Sequence, residues 1–464
     1  MSEPGRESEA MVAALARMVA IATRFVAADR ADPVRETLEA EHAHDALELA
    51  LPQQGRPLDE VLDALERVLL ATPATAGSRF WNQLFGGREA AATVADMLAS
   101  LANNSMYTYK VAGPQVLIEN LLAERMMAIA GFAGGEATFA PGGSLSNLVA
   151  LLVARGEAIP EARSAGVDAR RYRIYTSSES HYSIRKAAMV AGIGREHCVA
   201  VEVDAAGRLD PSALDARLRA DRAAGLLPIL VNATAGTTVR GAFDPIDAVA
   251  DVCAEHGVWL HVDGAFGGTL LLSDAGRPLL AGLERADSFT WDAHKLMGVP
   301  LLCSIVMVRR AGLLTHHLGE CASYLFQGDT DALNPGTRSL QCGRRNDALK
   351  LWAAWQTYGD AGWARRVERQ LGLAQQLAAR IEAHPRLELV EPPPSLNVCF
   401  RVPGVDAAAI CARLAETRRQ LVGYGTVRGE VVIRAAVVDP AHDAADLATL
   451  LDDVAAAADA IAAG

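Results

Sequence analysis

Between about residue 95 and residue 335, short runs rich in β-branched and aromatic residues recur at intervals filled by helical patterns, and no other property narrows the fold as far. The runs are Arg173–Ser177, Cys198–Val203, Pro228–Thr234, Val258–Val262, Ser288–Trp291 and Ser304–Val308. Strands separated by helix-length segments pair through crossovers rather than tight turns, so the expected product is a mainly parallel sheet with helices on both faces. At 464 residues the chain exceeds what one core comfortably serves. Its flanks read differently from the middle. Residues 10 to about 75 carry an Ala-, Leu- and Glu-rich helical period broken at Gly55-Arg56-Pro57, and the tail from about 345 runs helix, short strands at Asn397–Phe400 and Val431–Arg434, then an Ala-rich helix. The expected division is an N-terminal helical segment over 1–94, a large domain over 95–344 and a smaller C-terminal α/β domain over 345–464.

Composition sets the class of partner. Apolar residues make up 51% and charged residues 22%, the balance of a folded protein. A net charge of -12 argues against nucleic acid, yet it leaves an acidic small-molecule substrate open, because a pocket can oppose the sign of the whole surface. The seven cysteines are an odd number and widely spaced, without a C-x-x-C pair to suggest zinc or a redox site, so no metal is expected and a reducing cytoplasm fits best. The first ten residues are acidic where an export signal is basic, and the apolar stretch after them is interrupted by Arg17 and Arg24. The most apolar run, Leu296–Val308, contains Gly298 and Pro300 and is too short to cross a bilayer, so it is expected to be a buried strand and no membrane partner is expected.

In open parallel sheets ligands sit beyond the carboxyl ends of the strands. The run ending at Thr234 leaves hydroxyls at Thr234, Thr237 and Thr238, the next delivers Asp263, and the next His294 and Lys295. A lysine and a carboxylate on one rim are what pyridoxal phosphate (PLP) requires: an amine to hold its aldehyde and a carboxylate to keep its ring nitrogen protonated. The loop Ala140–Asn147 leads into a helical run at Leu148–Arg155, where small residues let amides approach a phosphate at a helix N-terminus; Gly143 and Ser144 are the candidate contacts. His181, after a strand and before a helix, can stack on a cofactor ring. Taken singly, each has an ordinary explanation: Lys295 as a solvated lysine, Asp263 as a strand-end cap, Ser144 or Ser146 as an N-cap, His181 as a helix cap. Their joint occurrence favours the cofactor.

With these residues in place the chain resembles the group II PLP-dependent amino-acid decarboxylases, in particular the branch of animal glutamate, cysteine-sulfinate and aspartate decarboxylases. The resemblance runs from about Phe80 to Asp439. It is carried by FWNQLF at Phe80–Phe85, PGGSLSN at Pro141–Asn147, HYSIRKAA at His181–Ala188, ATAGTTVRGAFDP at Ala233–Pro245, HVD at His261–Asp263, His294-Lys295, ASYLF at Ala322–Phe326, QCGRR at Gln341–Arg345 and NVCF at Asn397–Phe400. It implies the aspartate-aminotransferase-like fold (fold type I) and a homodimer with composite active sites. It also implies roles: Lys295 as the Schiff-base lysine, Asp263 as the ring-nitrogen partner, His181 as the stacking residue, Gly143, Ser144 and His294 at the phosphate, and Thr234 and Ala265 along the ring. Tyr324 would return a proton to Cα after carbon dioxide leaves, and Gln83 and Arg434 would contact substrate carboxylates.

The departures from the family pattern bear on the substrate and on the phosphate. Asp292-Ala293 stands where the family has Asn-Pro, Gly264 where the animal enzymes have Ala, Phe266 where they have Trp, and Lys110 and Gly113 where they have Glu and Pro. A carboxylate at 292 would repel a phosphate, so Asp292 is expected to turn away or to be hydrogen-bonded, with cofactor affinity altered. Phe85 resembles the cysteine-sulfinate and aspartate branch and suggests a short acidic side chain. The expected activity is α-decarboxylation of an acidic amino acid, aspartate or cysteine sulfinate ahead of glutamate. An unusual diamino or branched substrate is the neighbouring alternative, and a PLP aminotransferase or lyase on the same fold the more distant one.

Overall fold

The structure, a computed structural model, describes residues 3–35, 38–320 and 333–463. Seven strands form the large sheet: β1 (Glu136–Ala140), β2 (Tyr172–Ser177), β3 (Cys198–Val201), β4 (Leu227–Thr234), β5 (Trp259–Asp263), β6 (Ser288–Asp292) and β7 (Ser304–Val308), in the order β1-β7-β6-β5-β4-β2-β3. From β6 to β3 every neighbour is parallel. β7 runs against both β6 and β1. The expected parallel sheet is therefore present with one reversed strand, and β1 is a strand that the sequence pattern did not mark. The run Leu296–Val308 is a strand only from Ser304; Gly298, at φ +67, turns the chain before it.

Alternation along each strand distributes side chains to two faces. On β7, Ile305 and Met307 join the main core with Trp291, Leu351 and Trp363, while Val306 and Val308 pack with Val149 and Val153 of the helix Gly143–Ala158. On β4, Val231 and Ala233 face the main core and Ile229 and Leu230 the opposite layer with Ile174 and Ile184. Helices therefore cover both faces, as strands buried on both sides demand.

A second, antiparallel sheet holds β8 (Glu388–Leu389), β9 (Asn397–Arg401), β10 (Gly423–Val427) and β11 (Glu430–Ala436) in the order β10-β11-β9-β8. The helices Ala407–Glu416 and Ala444–Ala463 pack with it, and the helix Ala348–Ala383, interrupted at Gly359 (φ 57, ψ 179), joins it to the main core. Phe80 and Trp81 tie in here: the Trp81 amide donates to the Leu421 carbonyl at 2.7 Å and the Ala436 amide to the Trp81 carbonyl at 3.0 Å.

At the N-terminal end lie the helices Glu3–Ala31, Ala40–Ala46 and Leu58–Leu70. The first, over Ser8–Ala31, is long and apolar enough by length and composition to cross a membrane. The arginines that interrupt it are paired, Arg17 with Asp63 and Arg24 with Glu66, the latter through a second contact at 2.7 Å. Both long helices leave apolar side chains outside, among them Val12, Val19, Leu58 and Leu65.

Candidate active site

The carboxyl ends of β4, β5 and β6 lie side by side, with Thr234 opposite Asp263 and Asp263 opposite Thr290 on the ladder. Beyond Asp292 the chain turns tightly, the Lys295 amide donating to the Asp292 carbonyl at 3.3 Å, and Asp292 itself pairs with Ser304 of β7. The turn that carries Lys295 is thus anchored on adjacent strands. A cavity of about 250 Å³ opens on this rim, and Gly143, Ser144, His181, Thr234, Asp263, Ala265, His294 and Lys295 all line it. The lysine and the carboxylate, far apart in sequence, share one pocket.

Asp263 is buried, and its orientation is set by donors rather than water. Its Oδ2 accepts from Asn147 Nδ2 at 2.8 Å and its Oδ1 from the Ala265 amide at 3.1 Å. Because Asn147 spends its NH2 on Asp263 and on Ser183 Oγ (3.0 Å), its Oδ1 must accept from His261 Nε2 at 3.0 Å. That fixes the proton of His261 on Nε2, and its Nδ1 accepts from Ser288 Oγ at 2.9 Å, whose oxygen in turn accepts from Trp259 Nε1 at 2.8 Å. Burial holds His261 neutral, its pKa lowered to about 4. Asn147, His261 and Ser288 were not singled out from sequence for this role. The signal for His261 was present, since residues two apart on a strand share a face and His261 lies two before Asp263.

The other end of the pocket is built for an anion. Gly142 (φ +93) and Gly143 lead into the helix Gly143–Ala158, whose first amides have no partner within the helix. A Cβ on Gly143 would lie 2.6 Å from Asp292 Oδ2 and 3.0 Å from the Ala265 Cβ, so only glycine keeps the cradle open. His294 is tethered through Nδ1 to the Cys303 peptide, with the carbonyl at 2.9 Å and the amide at 3.1 Å, and this turns Nε2 toward the same place. Asp292 is 1% exposed and is neither turned away nor hydrogen-bonded, contrary to expectation. Pairing with Ser304 fixes the backbone at 292 and aims the side chain into the cavity, where Oδ2 lies 3.5 Å from His294 Nε2 and 3.8 Å from Lys295 Nζ, and Oδ1 has no partner among the described residues.

His181 follows β2 and opens the helix Ser183–Val190, its Nδ1 accepting from the Ser183 amide at 3.3 Å. Burial lowers its pKa, opposed in part by the Asp263 carboxylate, so a neutral ring faces the pocket. Two expected substrate contacts lie differently. Gln83 is exposed and does not line the cavity; its neighbour Leu84 does, because the anchoring of Trp81 to Leu421 and Ala436 sets which side of this segment faces in. Arg434 is buried but outside the lining, its guanidinium donating to the Thr238 carbonyl at 3.0 Å and to the Asn82 carbonyl, with Nε unpaired. Thr238 does line the cavity, so Arg434 stands one layer behind it. Tyr324 lies outside the described residues.

One glycine explains a family departure, and a second shows the packing of the wall. A Cβ on Gly264 would meet Phe289 Cε2 at 2.2 Å, so the large ring at 289 excludes the alanine of the animal enzymes. On Gly236 a Cβ would come within 2.8 Å of Phe266 Cδ1, which shows how closely the pocket wall packs.

A group with a phosphate at one end, an aldehyde and a protonated ring nitrogen matches this donor set: helix amides over Gly143 and Ser144, Lys295, and a carboxylate held by Asn147. Asp292 is its one discordant member. Comparison with known proteins agrees with the match. The family model described as pyridoxal-dependent decarboxylase conserved domain matches residues 40–403. Cysteine sulfinic acid decarboxylase of Mus musculus is 40% identical over 374 residues, covering 80% of this chain and 76% of the mouse protein, and that of Homo sapiens is 40% identical over 372 residues. The apo crystal structure of mouse CSAD superposes with a TM-score of 0.93 at 34% identity, covering 97% of this chain and 99% of that one. An Oryza sativa TDC solved with PLP and tryptamine superposes with a TM-score of 0.91 at 26% identity over 98% of each chain. Lysine, carboxylate, anion cradle and these likenesses converge, and the chain belongs to the pyridoxal-dependent decarboxylases, enzymes of fold type I that remove a carboxylate from an amino acid with PLP.

Proposed function

We propose that the substrate is a short acidic amino acid, cysteine sulfinate or aspartate ahead of glutamate. The observation that carries this is the 40% identity to two cysteine sulfinic acid decarboxylases across most of the chain. PLP, when bound, supplies the electron sink that accepts the pair released with carbon dioxide. The chain's residues do the rest. Lys295 would hold the cofactor, Asp263 would keep its ring nitrogen protonated, and the neutral His181 would pack against its ring. Arg434, one layer behind the cavity, acts through Thr238, whose carbonyl its guanidinium holds at 3.0 Å. Tyr324 returns a proton to Cα.

The exposed apolar side chains of the two long N-terminal helices support a homodimer, and the cysteines among the described residues, free and mostly buried, suit a reducing cytoplasm. A panel of amino acids, with carbon dioxide and amine both quantified, tests the substrate. Cysteine sulfinate or aspartate is expected to give the highest kcat/KM. A preference for tryptophan or for 2,4-diaminobutyrate would overturn the acidic assignment.

A further inference from the structure

The residue that fits the pocket worst is informative. Asp292 puts a buried carboxylate against the anion cradle, its Oδ2 within 2.6 Å of where a Cβ on Gly143 would sit and its Oδ1 unpartnered. The ionisable groups that face it are few. From its own turn come His294 at 3.5 Å and Lys295 at 3.8 Å. β5 contributes Asp263, His181 lies across the cavity, and the connection into β7 contributes Cys303, whose buried thiol stays protonated. The helix Gly143–Ala158 lines the cavity with Gly143, Ser144 and Asn147, none of them ionisable.

In the free pocket the Lys295 ammonium lies 3.8 Å from Asp292 Oδ2 and the His294 Nε2 3.5 Å from it. Holding the cofactor covalently consumes that ammonium, and the same event brings a phosphate carrying about two negative charges at neutral pH. The carboxylate thus gains an anionic neighbour in a space that excludes most water. An ionised carboxylate beside a phosphate repels it, whereas a protonated one donates an O–H to a phosphate oxygen.

We infer that the cofactor's phosphate enters this pocket together with one proton from solvent, held by the Asp292 carboxyl in its pair with His294. Cofactor retention is then linked to pH through the enzyme itself: affinity weakens as pH rises, by up to about tenfold per unit for one linked proton. A chain with asparagine at this position lacks that linkage.

The test measures PLP binding to cofactor-freed full-length protein by calorimetry at pH 8 in buffers of different ionisation enthalpy, which yields the protons taken up per PLP. The chemistry at Lys295 is common to the compared proteins and cancels in the difference. Wild type is expected to take up about one proton more than Asp292→Asn, and Asp292→Ser to match Asp292→Asn. Between pH 7 and 8.5 the wild-type dissociation constant should rise relative to both variants. Equal proton uptake in wild type and both variants overturns the linkage while leaving the pocket as the PLP site.

Discussion

Asp263 keeps its orientation through neighbours that can be removed one at a time. Asn147→Ala deletes the donor to Oδ2 and strands His261 Nε2, and a buried group left without its partner costs about 1–3 kcal/mol. The expected outcome is a roughly tenfold or larger fall in kcat with retained PLP binding, read by steady-state kinetics and by the cofactor absorbance near ~420 nm. Asp263→Asn, which removes the charge itself, should cost about 10²-fold or more, and an activity close to wild type would contradict its role. Tyr324→Phe is expected to divert turnovers toward abortive transamination, detected as loss of the PLP absorbance and appearance of a carbonyl product in place of amine. At this scale the sequence was legible where chemistry demands a residue type at a strand end, as at Lys295 and Asp263. It was silent on the direction of Asp292 and on the choice of Leu84 over Gln83, because both depend on which distant backbone pairs alongside, Ser304 in one case and Leu421 in the other.

Strand runs announce themselves by composition, but a run carries no arrow. β7 resembles its neighbours in composition and yet is reversed; the only hint is that the connection from Asp292 to Ser304 contains Gly298 and Pro300 and no helix, too little for a crossover. β1 escaped notice because its five residues, Glu136–Ala140, are all buried and show no alternation, and two of them are alanine. The end of β5 offers a test at the same scale. Gly264→Ala, although it restores the family residue, drives a methyl group into Phe289, and overpacking of this kind costs about 1–3 kcal/mol. A lower urea midpoint is expected for Gly264→Ala, and recovery for the double variant Gly264→Ala/Phe289→Leu, since the smaller side chain gives way.

For the whole molecule, two buried histidines set the acid limit. Burial lowers His261 to about 4 and His442, stacked on Trp81 at 3.7 Å, to about 3. Both lie below the ordinary value, so the unfolded chain takes up these protons first; the share of stability that these two rings contribute is intact above about pH 6.5 and is lost as pH falls toward 4 and 3. His442→Phe keeps a ring against Trp81 and removes two unpaired nitrogens. It is expected to lessen the loss between pH 7.5 and pH 5 by about 2 kcal/mol, measured by urea denaturation at each pH. Assembly belongs to this scale as well: if the proposed homodimer pairs through the exposed apolar faces of the N-terminal helices, Val19→Asp with Leu65→Lys places charge there and should lower sedimentation to that of a monomer. The helical flanks were readable from their period, but what covers their apolar sides was not, since a sequence does not say whether a hydrophobic stripe meets its own core or a neighbour. The reversed strand has one more effect. Because β7 returns directly beside β6, the bend carrying His294 and Lys295 is clamped at both feet, and Ser304 also meets Ser146 beneath the anion cradle at 2.7 Å. The seat is therefore held by the fold's own strand pairing, and a chain stripped of its coenzyme should take it up again at the pace of aldimine formation at Lys295, without rebuilding the scaffold.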